Sequence, residues 1–268
     1  MPDVHASRRA RVRDRLRAEH PTADGLLVTG LANVRYLTGF TGSHAVLLLA
    51  PDGALLGTDA RYELQGGEQC PDLPVLLDRS TLAAVAQHWA ARGPLGVEAE
   101  HLSVGDLRAL ERSDVGTIVE TSALVEAERM VKDEDERDAI AQACRISDEA
   151  LDATLPRIRA GVTERDVARW LEAAMFALGA DEISFATIVA AGPHSAKPHH
   201  EPTDRPVEQG DLLLIDFGAC VRGYHADQTR TFTLGAAAAW QQEIHAVVEQ
   251  AQAAARAVST AGDRKSVV

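Results

Sequence analysis

The chain has 268 residues, of which 46% are hydrophobic and 25% charged, as is ordinary for a globular protein long enough to hold two domains. Its formal net charge of −13 excludes a typical nucleic-acid-binding protein, because binding to phosphates requires clustered lysines and arginines. The longest apolar runs, such as residues 45–50, fall far short of the roughly 20 residues that a membrane-spanning helix needs. We therefore expect neither a nucleic acid nor a membrane as partner.

Cysteine usage and the N-terminus bear on the compartment. The three cysteines, Cys70, Cys144 and Cys220, are widely spaced and outside any Cys-x-x-Cys pair, which argues against a disulfide framework or a zinc knuckle. The arginine-rich N-terminus is interrupted by Asp14 and Glu19, and no apolar segment of signal-peptide length follows it. These features predict a cytoplasmic protein whose first residues form a surface helix.

Short apolar runs separated by turn residues dominate the first third of the chain. They predict buried strands over residues 25–29, 45–50, 55–58, 73–77 and 95–98. The spacing of Leu82, Val85 and Trp89 predicts a helix over residues 81–91. Alternating strands and helices indicate an α/β domain, which we place at residues 1–128.

A run of charge over residues 126–136 marks a change in character. We place the domain boundary there and assign residues 129–262 to a second domain. Apolar residues at heptad-like spacing then predict one long helix that begins near Asp133. Thr163 followed by Asp166 resembles a capping box and predicts the start of a second helix.

The rest of the second domain reads as strands followed by one more helix. Three apolar segments predict strands over residues 182–191, 211–217 and 225–234, with a hairpin near Gly223. Apolar residues at spacings of three, four or seven predict a last helix over residues 240–258.

Two aspartates in this meander are candidates for metal binding. Asp216 closes an apolar run, and Asp227 follows 11 residues later. A carboxylate at the end of a buried strand is costly to desolvate unless it is paired or binds a cation, and its oxygens suit hard divalent metals. If the two aspartates lie on facing antiparallel strands, they could share two ions and a bridging hydroxide. The alternative is structural: Asp216 begins a turn with Gly218, and Asp227 pairs with Arg230.

A loop just upstream holds three histidines, His194, His199 and His200, among prolines and glycine. Such loops commonly position functional groups. A neutral histidine beside a bound hydroxide could donate a hydrogen bond to a substrate carbonyl or to a tetrahedral intermediate. The alternative is a solvated loop without a role in chemistry.

Taken together, these segments resemble the core of the Xaa-Pro aminopeptidase and prolidase family, peptidase family M24. Further resemblance lies in residues 33–49 and 58–65 and at the domain junction, and it extends over roughly residues 24–258. The segments that carry the resemblance are GPHSAKPHHEPTDR, GDLLLIDFGACVRGYHADQTRTF, NVRYLTGFTGSHAVLLL, TDARYELQ and RMVKDEDERDAIAQAC.

The resemblance implies a creatinase/prolidase-type α/β N-terminal domain followed by a pita-bread catalytic domain of the α+β class. It implies two divalent metal ions, commonly Mn²⁺, with Co²⁺ or Zn²⁺ as alternatives. Asp216 would bind one ion and Asp227 would bridge both. His199 would be the catalytic histidine that contacts substrate, with His200 as its exposed neighbour. The activity implied is removal of the N-terminal residue from peptides with proline in second position, by an enzyme that is a homodimer when full length.

The family's other three metal ligands, a histidine and two glutamates, lie beyond residue 258 in its members, and this sequence has no match for them. We therefore expect an incomplete pita-bread domain, a C-terminally truncated chain that is inactive as given, and a non-native tail at residues 263–268. The alternatives within the fold are a prolidase-type dipeptidase, a creatine-type amidinohydrolase and a non-catalytic protein that binds peptides or protein partners.

Overall fold

The computed structural model describes residues 4–260. The chain divides into two compact units, Met1–Lys132 and Asp133–Val268. The tail expected at residues 263–268 lies outside the described residues. In the part of the chain that the structure describes, no helix has both the length and the apolar content needed to cross a membrane.

The N-terminal unit contains six strands and six α-helices among its described residues. The strands are β1 (Gly25–Val28), β2 (Val46–Ala50), β3 (Gly53–Thr58), β4 (Val75–Leu77), β5 (Leu95–Glu98) and β6 (Ile118–Thr121). The helices are α1 (Val4–Glu19), α2 (Leu31–Thr38), α3 (Glu63–Gln69), α4 (Thr81–Trp89), α5 (Val104–Glu111) and α6 (Leu124–Arg129). The predicted strands and the predicted α4 are confirmed, whereas α2, α3, α5, α6 and β6 were not predicted.

The six strands form one mixed sheet in the order β4-β3-β2-β1-β5-β6. The pairs β1–β2 and β2–β3 are antiparallel, and the other three pairs are parallel. Side chains alternate between its two faces, as the twofold period of a strand requires: Leu26 and Val28 pack in one core, and Leu27 packs with Trp89 in the other. Helices cover both faces, which confirms the predicted α/β class.

Helix α1 was predicted to lie on the surface, but two of its arginines are buried. Arg8 and Arg9 are buried, and their guanidinium groups donate to the carbonyls of Tyr36 at 3.1 Å and Leu37 at 2.8 Å. These carbonyls lie in the last turn of α2, where backbone acceptors lack partners within the helix. Arg9 also pairs with Asp72. The arginines are buried because they satisfy the end of a neighbouring helix.

Among its described residues, the C-terminal unit contains three α-helices and two small sheets. The helices are α7 (Glu134–Thr154), α8 (Glu164–Ala177) and α9 (Ala239–Val258). The strands are β7 (Glu182–Ile183), β8 (Ile188–Ala191), β9 (Leu212–Phe217), β10 (Ala219–Val221), β11 (Tyr224–His225) and β12 (Gln228–Thr233). Strands β12-β9-β8 form one antiparallel sheet, and β11-β10-β7 form the other.

Both predicted helix starts are confirmed, and each is a capping box, although a box was predicted only at Thr163. Asp133 accepts from the Glu136 amide at 3.0 Å, and the Glu136 carboxylate accepts from the Asp133 amide at 2.9 Å. Thr163 and Asp166 make the same reciprocal pair at 3.1 and 3.2 Å. Each box satisfies two amides that the first helical turn leaves without partners.

Two predicted strands are each divided in the structure. Residues 182–191 form β7 and β8 in different sheets, because β7 pairs with β10 whereas β8 pairs with β9. Ser184 still lies beside β10 and donates to the carbonyls of Gly218 at 2.8 Å and Ala219 at 2.9 Å. Residues 225–234 divide between β11 and β12 at Ala226 and Asp227. The Ala226 carbonyl oxygen would lie 1.8 Å from a Cβ at position 218, so the chain crosses there only over a glycine.

Candidate active site

Asp216 lies in the middle strand of the β12-β9-β8 sheet. Along β9, Leu213, Ile215 and Phe217 are buried in the core, and Asp216 alternates with them to lie half-buried on the opposite face. In the register, Asp216 stands opposite Thr229 of β12 and Ile188 of β8. The Thr229 hydroxyl donates to Asp216 Oδ1 at 2.8 Å. The half-buried carboxylate thus accepts a hydrogen bond from a neutral hydroxyl on this face of the sheet.

Asp227 lies immediately before β12 and is exposed. Since Gln228 pairs with Phe217, Asp227 comes beside Gly218, diagonally across from Asp216. Diagonal neighbours on antiparallel strands are about 7–8 Å apart at their Cα atoms. The proposed pairing of Asp227 with Arg230 is not the arrangement found, because the Arg230 guanidinium is directed to Asp148 at 3.8 Å.

The structure separates His199 from the other two histidines of the loop. His199 is exposed, as a residue that contacts substrate must be, but His200 is only 7% exposed. The expectation that His200 is an exposed neighbour is therefore wrong. His200 turns inward because its Nε2 donates to the Glu164 carboxylate at 2.9 Å, and His194 Nδ1 does the same at 2.9 Å.

Glu164, the first residue of α8, is the buried centre of this loop. Its Oε1 accepts from the Ala191 amide at 2.8 Å, and its Oε2 accepts from the Thr203 amide at 3.0 Å and the Thr203 hydroxyl at 2.7 Å. Burial raises the pKa of the Glu164 carboxyl, but the hydrogen bonds from Ala191, His200 and Thr203 outweigh burial and lower the pKa to about 2. Glu164 is therefore an ionised anchor that ties strand β8 to the histidine loop.

Sequence reasoning missed Glu164 because an acid in the first turn of a helix is already explained by the helix dipole. The one available signal was the pair of nearby histidines without an assigned role. Arg205, in the same loop, pairs with Asp211 at 2.8 Å. Both side chains lie so close to Gly192, whose φ is +53°, that they leave no space for a Cβ at that position.

Comparison with known proteins identifies the family. The sequence model of the metallopeptidase family M24 matches residues 138–266, and the sequence model of the creatinase/prolidase N-terminal domain matches residues 8–131. An Xaa-Pro dipeptidase from Bacillus anthracis is 31% identical with a TM-score of 0.86, and the match covers 92% of this chain and 70% of that one. The chain belongs to metallopeptidase family M24. Its fold is therefore that of a creatinase/prolidase N-terminal domain followed by a pita-bread domain, as the resemblance implied.

Further relatives are also peptidases. The X-Pro aminopeptidase from Thermotoga maritima MSB8 is 33% identical with a TM-score of 0.79, covering 90% of this chain and 69% of that one. The uncharacterized peptidase YqhT of Bacillus subtilis (strain 168) is 36% identical over 237 residues, which are 86% of this chain and 66% of the relative. This M24 chain thus spans about two-thirds of the length of that curated relative.

The donor chemistry of Asp216 and Asp227 fits the divalent ions that a metallopeptidase requires. Both supply carboxylate oxygens, and within residues 4–260 neither forms an ion pair with a lysine, arginine or histidine. Two neighbouring carboxylates without a cation repel each other, and a metal ion removes this repulsion. These two residues can hold part of the coordination shell of such ions.

Proposed function

We propose that this M24 chain carries the substrate-contacting histidine and the first two metal ligands of a peptidase that removes the N-terminal residue from peptides with proline in second position. The proposal rests on the pair Asp216 and Asp227, which lie on adjoining antiparallel segments and have no cationic partner among the described residues. The residue that precedes proline forms a tertiary amide with no N–H, a bond that requires a dedicated enzyme.

The chain's own residues would divide the work as follows. Asp216, oriented by the Thr229 hydroxyl, would bind one ion, and Asp227 would bridge two. Two divalent ions, when bound, supply Lewis-acid polarisation of the scissile carbonyl and a nucleophile from water at neutral pH. His199 would donate a hydrogen bond to the carbonyl oxygen as negative charge develops on it. Glu164 would hold the loop of His199 in place through the flanking His194, His200 and Thr203.

Oxygen donors favour Mn²⁺ as the native ion, with Co²⁺ or Zn²⁺ as substitutes. Two carboxylates supply fewer donors than two ions need, so we propose that the chain as given binds this metal pair weakly and is inactive. Further donors would come from a segment that corresponds to the remaining third of the curated relatives. The three cysteines, spread over 268 residues without a Cys-x-x-Cys pair, suit a cytoplasmic enzyme, and we propose a homodimer for the full-length protein.

The test is hydrolysis of an Xaa-Pro-Yaa tripeptide with added Mn²⁺. The 268-residue chain is compared with an extended chain, which carries at its C-terminus the segment of the Bacillus subtilis relative that lies beyond the match. We expect activity only in the extended chain. Activity in the 268-residue chain would contradict the ligand count, and activity in neither would favour a non-catalytic protein that binds peptides.

A prolidase-type dipeptidase is the second candidate, because relatives named Xaa-Pro dipeptidase are 31% identical, from Pyrococcus furiosus and from Bacillus anthracis. Substrate length separates the two activities. An aminopeptidase hydrolyses the tripeptide Xaa-Pro-Yaa, whereas a strict dipeptidase accepts only the dipeptide Xaa-Pro. Comparing kcat/KM for this matched pair in the extended chain decides between them.

A further inference from the structure

We propose that Glu164, His194 and His200 form a binding site for one transition-metal dication, with Zn²⁺ as the ion best matched to the donors. The site uses neither Asp216 nor Asp227 and is therefore independent of the metal pair proposed above. Two imidazole nitrogens and one carboxylate oxygen are a common zinc donor set. Mg²⁺ and Ca²⁺ prefer shells made of oxygen alone.

The three donors already converge. His194 Nδ1, His200 Nε2 and a carboxylate oxygen of Glu164 lie within 4.8 Å of one another. Each imidazole nitrogen is 2.9 Å from the carboxylate, and the ring centroids are 4.3 Å apart with the planes tilted by 40°. Donors bound tetrahedrally to zinc at 2.0–2.1 Å lie roughly 3.4 Å apart. Small side-chain shifts are therefore enough to admit an ion.

The surroundings hold these donors in place before an ion arrives. Glu164 is fixed at the start of α8, and its carboxylate keeps three hydrogen bonds from Ala191 and Thr203 in addition to those from the histidines. His194 lies on a short 3-10 helix, Gly192–Ala196. Hydrogen bonds to a ligating carboxylate are the usual support of a metal site. Binding of the ion would therefore require little further ordering of these side chains.

Charge and protons also balance. In the ion-free cluster, each histidine directs an N–H at Glu164. A neutral histidine can carry its proton on the other ring nitrogen instead, so the ion can replace the two N–H groups without releasing a proton from the imidazoles. Glu164 contributes one negative charge next to the ion, and the chain's net charge of −13 attracts cations at longer range.

Access to the cluster runs past His194. The side chain of Glu164 is 0% exposed and that of His200 is 6% exposed, whereas that of His194 is 24% exposed. An ion would thus be largely shielded from water, which strengthens its attraction to the carboxylate. Three protein donors leave a fourth position on the exposed side for water. The bound ion would also fix the loop that carries His199.

The experiment is zinc binding to the 268-residue chain. The protein is stripped with a chelator, dialysed against Zn²⁺ and analysed for zinc by mass spectrometry, and its thermal midpoint is recorded with and without Zn²⁺. We expect one zinc per chain and a raised thermal midpoint, since an ion that binds only the folded state stabilises it. His200→Asn and His194→Gln should each raise the Kd for zinc at least ~10-fold.

Controls separate this site from other ligands. His199→Asn removes an exposed imidazole of the same loop and should keep the zinc. Asp216→Asn combined with Asp227→Asn should also keep it, so failure of this site and failure of the proposed peptidase site are distinguishable. If His200→Asn fails to fold by circular dichroism, His194→Gln at its partly exposed position carries the test. No zinc in the unmodified chain, zinc retained in His194→Gln, or equally tight binding of Mg²⁺ would overturn the proposal.

Discussion

Glu98 in the N-terminal unit and Glu164 in the C-terminal unit are both buried and both accept several hydrogen bonds, but their pKa values shift in opposite directions. Glu98 accepts from the Thr29 and Gly30 amides at 2.7 and 2.8 Å and from Asn33 at 2.7 Å. Burial raises the pKa of Glu98, and these hydrogen bonds do not offset it. Burial also acts on Glu164, yet hydrogen bonds lower the pKa of that carboxyl to about 2.

The difference lies in the number and kind of donors. Glu164 accepts five hydrogen bonds, two of them from histidines. Glu98 accepts three, and Asn33, one of its donors, also donates to a second carboxylate, Glu126, at 2.6 Å. Burial alone does not set the direction in which the pKa of a carboxyl shifts; the supply of hydrogen-bond donors also decides it.

Replacing each glutamate by alanine tests this contrast most strongly. Glu164→Ala leaves the buried Ala191 amide without its partner and removes the anchor of the histidine loop, so we expect a loss of about 3 kcal/mol or more in the free energy of unfolding. Glu98→Ala should lower the free energy of unfolding by about half as much, because the Glu98 carboxylate accepts fewer hydrogen bonds. Urea unfolding at pH 7 measures both, and equal losses would contradict the contrast.

Glu164→Gln tests the lowered pKa in metal-free buffer with chelator. Because the folded-state pKa lies below the ordinary value of 4.5, the ionised carboxylate stabilises the fold fully above that value, and this contribution is lost as the pH falls towards 2. We expect the variant to be less stable than the unmodified chain by about 2 kcal/mol at pH 6, with a smaller deficit near pH 3. A deficit that does not change with pH would refute the lowered pKa.

Glu98→Gln should show the opposite pH dependence. Since the folded-state pKa lies above the ordinary value of 4.5, the contribution of Glu98 is fully present below that value and is lost as the pH rises through the folded-state pKa. The variant should be most destabilised near pH 4 and less so near pH 7. The same urea series serves as the measurement, and a deficit that grows with pH would be inconsistent with it.

The smallest effects are expected at the two histidines that donate to Glu164. Without metal, His200→Ala should cost about 1–2 kcal/mol and His194→Ala less than about 1 kcal/mol, because a buried donor is harder for water to replace than a partly exposed one. His199→Ala, exposed in the same loop, is the matched control and should leave thermal stability unchanged. Equal losses at His194 and His200 would show that their burial does not matter.

Features that depend on local sequence were predictable. The capping boxes at Asp133 and Thr163 involve residues three positions apart, so their sequence pattern is sufficient. The strand over residues 182–191 was predicted as continuous because its division depends on partners far along the chain: β7 pairs with β10, and β8 pairs with β9. Periodicity carries no information about such partners.

In the candidate site, too, contacts between distant parts of the chain were not predictable from the sequence. Asp216 was predicted as a metal ligand because it closes an apolar run, and Asp227 because it follows 11 residues later; both assignments, which the family resemblance also implies, stay predictions. Glu164 was missed, and His200 was misplaced, because both depend on one contact between the start of α8 and a loop 36 residues later. The buried Arg8 and Arg9 show the same limit, since their partners are carbonyls of α2.

The central claim, that Asp227 is a metal ligand of a proline-specific peptidase, is tested most directly by Asp227→Asn in the extended chain. The account predicts that kcat/KM for an Xaa-Pro-Yaa tripeptide falls by ~10³-fold or more. Asp148→Asn, which changes a carboxylate facing Arg230 of the same region, should retain activity. Full activity after Asp227→Asn would contradict the metal assignment.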